Sequence, residues 1–518
     1  MNDNSSRQAK IASVVFLAAF VFLTSTVRDL GMSWDEGNDI QMAKGAVSWF
    51  GTLGSGGAPS FSRQVIEEHW GYEWKQHPAV SRIVYALSYG IFGGIRGEVI
   101  YREWLVYRSG TAIAFAVLVS LVFFFGWRHL GAWQAGAVAA LSLLGMPRVL
   151  GHAHLVQTDV ILCAFFFMTA LAFLSGLETR RGRIAFGILM GLLPAIKFTG
   201  FFLWIPLFLY GLIFARGRLR GNFIAALTLS PLIFFIVQPM YWHQPAQAFA
   251  SYVGHFTNPD AQSSLVTYYF GEYYRRTAPW TYPWVMTALS LPLAILSLAA
   301  LGALSVFKKS PARKMAFFCI FNAVFILLLF TPGRVAKYDG VRLFMIVFPF
   351  WALLAGAGFH LLLGRFRAGV QIAALVLFAL SSALTVSNTR PFYLSYFNEL
   401  AGGIKGAEER GLEVTYWGEM FTPEFAGMVN QALPYGARVS TAGYYKRNLE
   451  RFQDMGLLRR DLRIVDYADD DEFLIVFNRA GLLDSYTRAL IRDVPPMVEI
   501  RWRGVLIGGL YYAYPSTG

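Results

Sequence analysis

Charge is scarce in this sequence. Only 15% of its 518 residues are Asp, Glu, Lys or Arg, against 55% hydrophobic ones. A soluble domain of that size carries nearer a quarter charged residues, so most of this surface faces something other than water. Cysteine is almost missing. The two present, Cys163 and Cys319, both sit inside apolar runs, where a free thiol behaves as a small hydrophobe. They exclude a disulfide framework and a cysteine-built metal knuckle. No small-residue cleavage site follows the first apolar run, 11–27, which Arg7 and Lys10 precede. That run reads as an uncleaved first span. A glycine fingerprint for a nucleotide-binding fold is lacking too, as are internal repeats and low-complexity tracts.

What is present is apolar sequence. Runs long enough to cross a bilayer recur from Ile11 to Ala383, and mean hydropathy is +0.45. The 21 prolines and 49 glycines are no obstacle, because membrane helices tolerate both. Net charge is +13, yet the basic residues are not gathered on one soluble surface as nucleic-acid binding requires. They fall in short loops between spans: Arg180, Arg181 and Arg183; Arg216, Arg218 and Arg220; Lys308, Lys309, Arg313 and Lys314; Arg365 and Arg367. These loops read as cytoplasmic.

With that orientation, spans are expected at 11–28, 104–125, 133–148, 157–177, 184–197, 199–214, 222–240, 283–307, 314–331, 341–363 and 368–386. The expected fold is a polytopic α-helical membrane protein of about eleven spans. Residues 79–92 are too short for a span, and parity of the basic loops makes them an outer interfacial helix. Two long outer loops follow, 29–101 and 241–282. Beyond the membrane region, 1–387, composition turns mixed. Residues 388–518 alternate helical spacing (423–433, 444–455) with strand-like runs (438–441, 473–477, 497–502), as expected of a small outer α/β domain.

The sharpest local signal is Ser33-Trp34-Asp35-Glu36, at the outer mouth of the first span. Ser33 and Glu36 have capping-box spacing, which leaves Asp35 without a structural task. A carboxylate beside Trp34 at the membrane face suits general-base work on a hydroxyl. Capping and catalysis both fit the spacing. Asp159, at the start of a span, reads as an N-cap or a bundle salt bridge. Lys197, at the outer turn of the apolar hairpin 184–214, reads either as a snorkelling side chain or as a phosphate contact. Arg334, Lys337 and Arg342 form an outer basic cluster that breaks the charge rule, and phosphate binding explains it better than solvation. His152, His154 and Asp159 have a weak metal-like spacing, read as a chance polar loop. Trp242, Tyr268, Tyr269, Tyr273, Tyr274, Trp280, Tyr282 and Trp284 read as an interfacial belt, with sugar stacking as a second use.

The acidic pair after the first span resembles that of the dolichyl-phosphate-mannose protein mannosyltransferases and of the bacterial aminoarabinose transferases, within the C-type (GT-C) membrane glycosyltransferases. Further similarities follow in order over about residues 10–400: His77-Pro78, Arg108, Asp159, Gly191 to Lys197, Tyr338-Asp339-Gly340-Val341-Arg342, and Arg390-Pro391-Phe392-Tyr393-Leu394-Ser395-Tyr396-Phe397-Asn398. The resemblance implies an inverting transfer of sugar from a polyprenyl-phosphate donor on the outer face of a bacterial inner or plasma membrane. It implies Asp35 as base, with Glu36 and Asp159 as catalytic companions and Arg108 as partner of Asp159. Lys197, Arg342, Lys337, Arg334, Arg108 and His77 are the candidates to hold donor phosphate. The acceptor would be a hydroxyl of a protein, lipid or glycan, and neither cofactor nor metal is implied. A flippase of lipid-linked saccharide and an inactive scaffold are the competing readings. The asymmetric tail argues against the first, and the presence of Asp35, Glu36, Lys197 and Arg342 together against the second.

Overall fold

The computed structural model describes residues 3–54, 60–257, 265–275, 277–308, 312–333, 335–467 and 471–513. Among these, six helices are long and apolar enough to cross a membrane: Ser6–Ser25, Tyr101–Leu130, Thr158–Gly176, Ala312–Leu329, Arg342–Leu363 and Ala368–Thr389. A further apolar pair, Tyr282–Ser290 with Leu293–Phe307, is bent by 115° where Pro292 interrupts the helix, and is either a broken span or a re-entrant loop.

The count of about eleven is therefore not reached by length alone. At four expected spans the helices are shorter: Trp133–Leu144, Arg180–Leu192, Trp204–Phe214 and Arg220–Ile236. Chain breaks explain this. Pro147 opens a new short helix after Gly145, Pro194 to Lys197 separate two helical segments, and Pro239 follows the last. An apolar run measures composition, and prolines cut it into shorter rods. Residues Ala79–Phe92 form a separate helix of 14 residues, packed on Glu36–Gly54 and Val99–Leu130.

Packing in the bundle uses small residues where backbones approach. Gly302 and Gly358 face one another across helices Leu293–Ala303 and Phe348–Leu363, and a Cβ on either would run into the opposite backbone at Leu354 or Leu298. Without a hydrophobic drive between helices in lipid, such close contact is what holds them. The bundle also has two chemically distinct ends. Helix Thr158–Gly176 begins at Asp159 and runs to Arg180, Arg181 and Arg183; helix Arg342–Leu363 begins at Arg342 and runs to Arg365 and Arg367. One end collects the site candidates, the other the basic loops.

A hairpin, β1 (Val266–Tyr269) with β2 (Glu272–Arg275), lies in the second long loop. The C-terminal region builds a five-stranded sheet from β3 (Arg438–Ala442), β4 (Arg463–Ile464), β5 (Phe473–Phe477), β6 (Val498–Trp502) and β7 (Val505–Tyr512). Its order is β4-β3-β5-β7-β6, with β3 parallel to β4 and β5, and β7 antiparallel to β5 and β6. Every residue of β5 is buried. The sequence reading has no strand at β7, because Gly508 and Gly509 interrupt its apolar run.

Candidate active site

Glu36 and Arg108 form a closed pair beneath the site. Glu36 is wholly buried and accepts two bonds of 2.8 Å from Arg108, Nε and Nη2. It also accepts from Val156 N at 3.0 Å and Ser33 N at 3.1 Å, the second being half of the expected capping box. The other Arg108 donors hold the carbonyls of Val27, Leu30 and Gly31. A bidentate, desolvated pair of this kind fixes geometry. It joins the end of the first helix to two others, and neither side chain lines a cavity. Glu36, expected among the catalytic carboxylates, and Arg108, expected at the donor phosphate or beside Asp159, are placed on one another instead.

Asp35, the neighbouring residue, turns the other way, into a cavity of about 570 Å³. Its lining is part polar, with Asp35, Asp39, His77, Asp159, Lys197 and Arg342, and part apolar, with Phe198, Phe202, Leu203, Phe256, Phe330 and Leu343. Arg342 is the hub. Its Nη1 lies 2.9 Å from Asp35 and 3.3 Å from Asp339, and its Nε 3.6 Å from Asp159. Asp159 in turn accepts from Lys197 Nζ. Asp159 sits in the first turn of its helix with Gln157 capping its amide at 2.6 Å, where the helix dipole favours negative charge.

His77 Nδ1 lies 3.0 Å from Asp39 Oδ1. Burial works against the His77 imidazolium, but the Asp39 carboxylate, with Asp35 behind it, holds the pKa above the ordinary histidine value. Burial also raises Asp39, against the pull of His77. Asp39 is absent from the sequence reading, although it stands one helical turn after Asp35 and so on the same face.

Lys337, a candidate for the donor phosphate, stands apart from the cavity. Lys337 is wholly buried, donates to the carbonyls of Pro332 at 2.7 Å and Val335 at 2.9 Å, and does not reach the cavity; burial lowers its pKa to about 8. A cluster that looks cationic in sequence is thus divided, with Arg342 inward and Lys337 tied to its own loop. Arg334 lies outside the described residues. His152 meets the Tyr416 hydroxyl at 3.1 Å, while His154 meets Leu150 O and Thr26. Among the described residues, no three His, Cys, Asp or Glu side chains converge as metal ligands.

The C-terminal region reaches the site directly, which the sequence reading missed. Trp417, in the left-handed region at φ 73°, lines the cavity with the Arg342 guanidinium 4.5 Å from its ring centre. Trp417 O accepts from Trp34 N at 2.7 Å, and Tyr445 packs on the Trp34 ring at 4.1 Å between centres. Tyr444 donates to Met32 O and Asn448 to Trp34 O. Asp35 is thus held from both sides. None of the eight belt aromatics singled out in the sequence lines the cavity.

Comparison with known proteins adds to this geometry. Residues 76–243, which contain His77, Asp159 and Lys197, match the family described as dolichyl-phosphate-mannose-protein mannosyltransferase. The crystal structure of ArnT from Cupriavidus metallidurans bound to undecaprenyl phosphate is similar at 13% identity and TM-score 0.50, covering 96% of this chain and 97% of that one. Its apo state is similar at 15% identity and TM-score 0.52, with the same coverage. No curated protein matches the chain. The matched segment and the whole-chain likeness together make this an integral membrane chain of the C-type (GT-C) glycosyltransferase fold.

Proposed function

We propose that the protein is an inverting glycosyltransferase that moves a sugar from a polyprenyl-phosphate donor to an acceptor hydroxyl. The observation that carries this is the two-natured cavity: its lining joins three carboxylates, Lys197, Arg342 and His77 to an aromatic and aliphatic wall. An isoprenoid chain suits the apolar wall, and a phosphate suits Lys197 and Arg342, with His77 beside them. The likeness to an ArnT solved with undecaprenyl phosphate supports the same ligand class.

Arg342 is paired with Asp35, and Lys197 with Asp159. Donor phosphate competes for the two cations, which frees Asp35 to accept a proton. The hydroxyl oxygen of the acceptor then bonds to the anomeric carbon as its proton passes to Asp35. The bond from that carbon to the phosphate oxygen breaks with its electron pair on the lipid phosphate. A single displacement inverts the anomeric centre. Lys197 and Arg342 stabilise the charge that grows on the leaving group, and because they are in place beforehand they need little rearrangement. No cofactor enters this scheme, and the donor is a substrate.

The site lies at the bundle end opposite the basic loops, so the positive-inside rule supports an outer-face reaction, with 388–518 as an outer domain over 1–387. The test is transfer by the purified protein from synthetic polyprenyl-phosphate sugars, paired with mass spectrometry of membrane glycans with and without the gene. A wild-type protein that neither binds nor turns over any such donor removes the proposal.

A further inference from the structure

Arg342 faces three carboxylates, Asp35, Asp159 and Asp339. Asp339 stands in a tight turn, with φ 57° there and 61° at Gly340, a conformation that aspartate and glycine accept most easily. The turn aims the two Asp339 oxygens in different directions. Oδ2 lies 3.3 Å from Arg342 Nη1, whereas Oδ1 accepts from Arg479 Nη2 at 2.5 Å. Arg479 follows β5, and its amide donates to Phe477 O at 2.7 Å. It is 1% exposed, and its guanidinium lies 3.9 Å from Glu413 and 5.6 Å from the centre of the Trp34 ring.

The charges then sort into pairs. Lys197 serves Asp159, Arg479 serves Asp339, and the shorter approach of Arg342 is to Asp35. If Arg479 lost its charge, Asp339 would be a buried carboxylate with Arg342 as its nearest cation. An unpaired buried ion is strongly disfavoured. Arg342 Nη1 already points at both Asp35 and Asp339, so a movement of a few tenths of an ångström would exchange one partner for the other.

We infer that Arg479 is a positioning residue for the site: by neutralising Asp339, it leaves Arg342 to Asp35 and to incoming phosphate, which makes the C-terminal domain a required part of the donor site. This rests on the proposed function for its ligand, but not for its geometry. The same arginine lies 5.6 Å from the centre of the Trp34 ring, so one side chain of the C-terminal region meets both the residue before the proposed base and the carboxylate beside Arg342.

The test compares wild type, Arg479→Gln, Arg479→Lys and Arg479→Gln combined with Asp339→Asn. Undecaprenyl phosphate affinity and unfolding midpoint are measured in detergent, and a structure of Arg479→Gln is determined. Arg479→Gln is expected to weaken binding at least tenfold, with Arg342 drawn from Asp35 onto Asp339. The double variant, in which Asp339 no longer needs a cation, is expected to recover to within threefold of wild type, and Arg479→Lys to fall between. A loss of packing alone would not be repaired by the second substitution. Arg479→Gln with wild-type affinity and Arg342 still on Asp35 overturns the inference, as does a folded double variant no better than the single one. If wild type itself binds no undecaprenyl phosphate, the proposed function fails, and the position of Arg342 in Arg479→Gln decides the inference alone. If Arg479→Gln does not fold, recovery of binding by the double variant supports the inference, and its absence overturns it.

Discussion

Arg342 Nη1 lies 2.9 Å from Asp35 Oδ2 across 307 positions of sequence. The pair brings the mouth of the first helix to the mouth of a late one. Around it Lys197 and Asp159 complete an alternating row of charge.

Glu36 and Asp35 are adjacent, but their substitutions should differ in kind. Removing one partner from a buried bidentate pair costs about 3–5 kcal/mol. Glu36→Gln is therefore expected to lower the unfolding midpoint in detergent clearly, while Asp35→Asn leaves it close to wild type. Equal midpoints for the two would remove the structural assignment of Glu36.

The two lysines separate in the same way. Lys197 lines the cavity and Lys337 does not. A lost hydrogen bond to a charged group is worth about 1.5–3 kcal/mol, so Lys197→Met should raise the donor KM roughly tenfold or more. Lys337→Met should leave donor KM unchanged and reduce stability, since two loop carbonyls lose their donor. Steady-state kinetics at varied donor concentration distinguishes them.

His77 carries a pKa above the usual histidine value because of Asp39, so its imidazolium persists to higher pH. Asp39→Asn removes that support and lowers the pKa. If the charged ring assists the phosphate, the alkaline fall in kcat/KM for donor moves to lower pH in this variant. An unmoved profile would mean that His77 only packs.

Two carboxyls near the domain junction give stability an unusual slope. Burial raises Glu419 from 4.5 to about 7, against hydrogen bonds from Ser395 and Leu394, and raises Glu413 similarly against the pull of Arg479. A raised carboxyl pKa means the folded state holds a proton that the unfolded state has released. Stability therefore falls as pH rises from about 4.5 to about 7, and stays lower above that. A shift of this size corresponds to roughly 3 kcal/mol for one group. Glu419→Gln should flatten its share of the slope in unfolding midpoints taken from pH 5 to 8.

The membrane class was legible because hydropathy and loop charge are additive along the chain. The order of Asp35, Asp159, Lys197 and Arg342 was legible because each stands at a helix mouth, where a polar residue interrupts an apolar run. What failed was direction. Glu36 and Asp35 are neighbours, and Lys337 and Arg342 are five apart, yet the members of each pair point into different surroundings. Such partition depends on partners remote in sequence, Arg108 for Glu36 and Pro332 with Val335 for Lys337. Span lengths failed for a local reason, since the breaks after Gly145 and around Pro194 are hidden in apolar composition. Trp417 gave no signal at all. Its place depends on a left-handed backbone angle and on the docking of the C-terminal sheet.

The proposed mechanism turns on Asp35 accepting the proton of the acceptor hydroxyl. Single-turnover transfer by purified Asp35→Asn, with undecaprenyl phosphate affinity measured on the same preparation, tests it most directly. A rate about 10²–10⁴-fold below wild type is expected, with affinity no weaker than wild type. Transfer at the wild-type rate would contradict it.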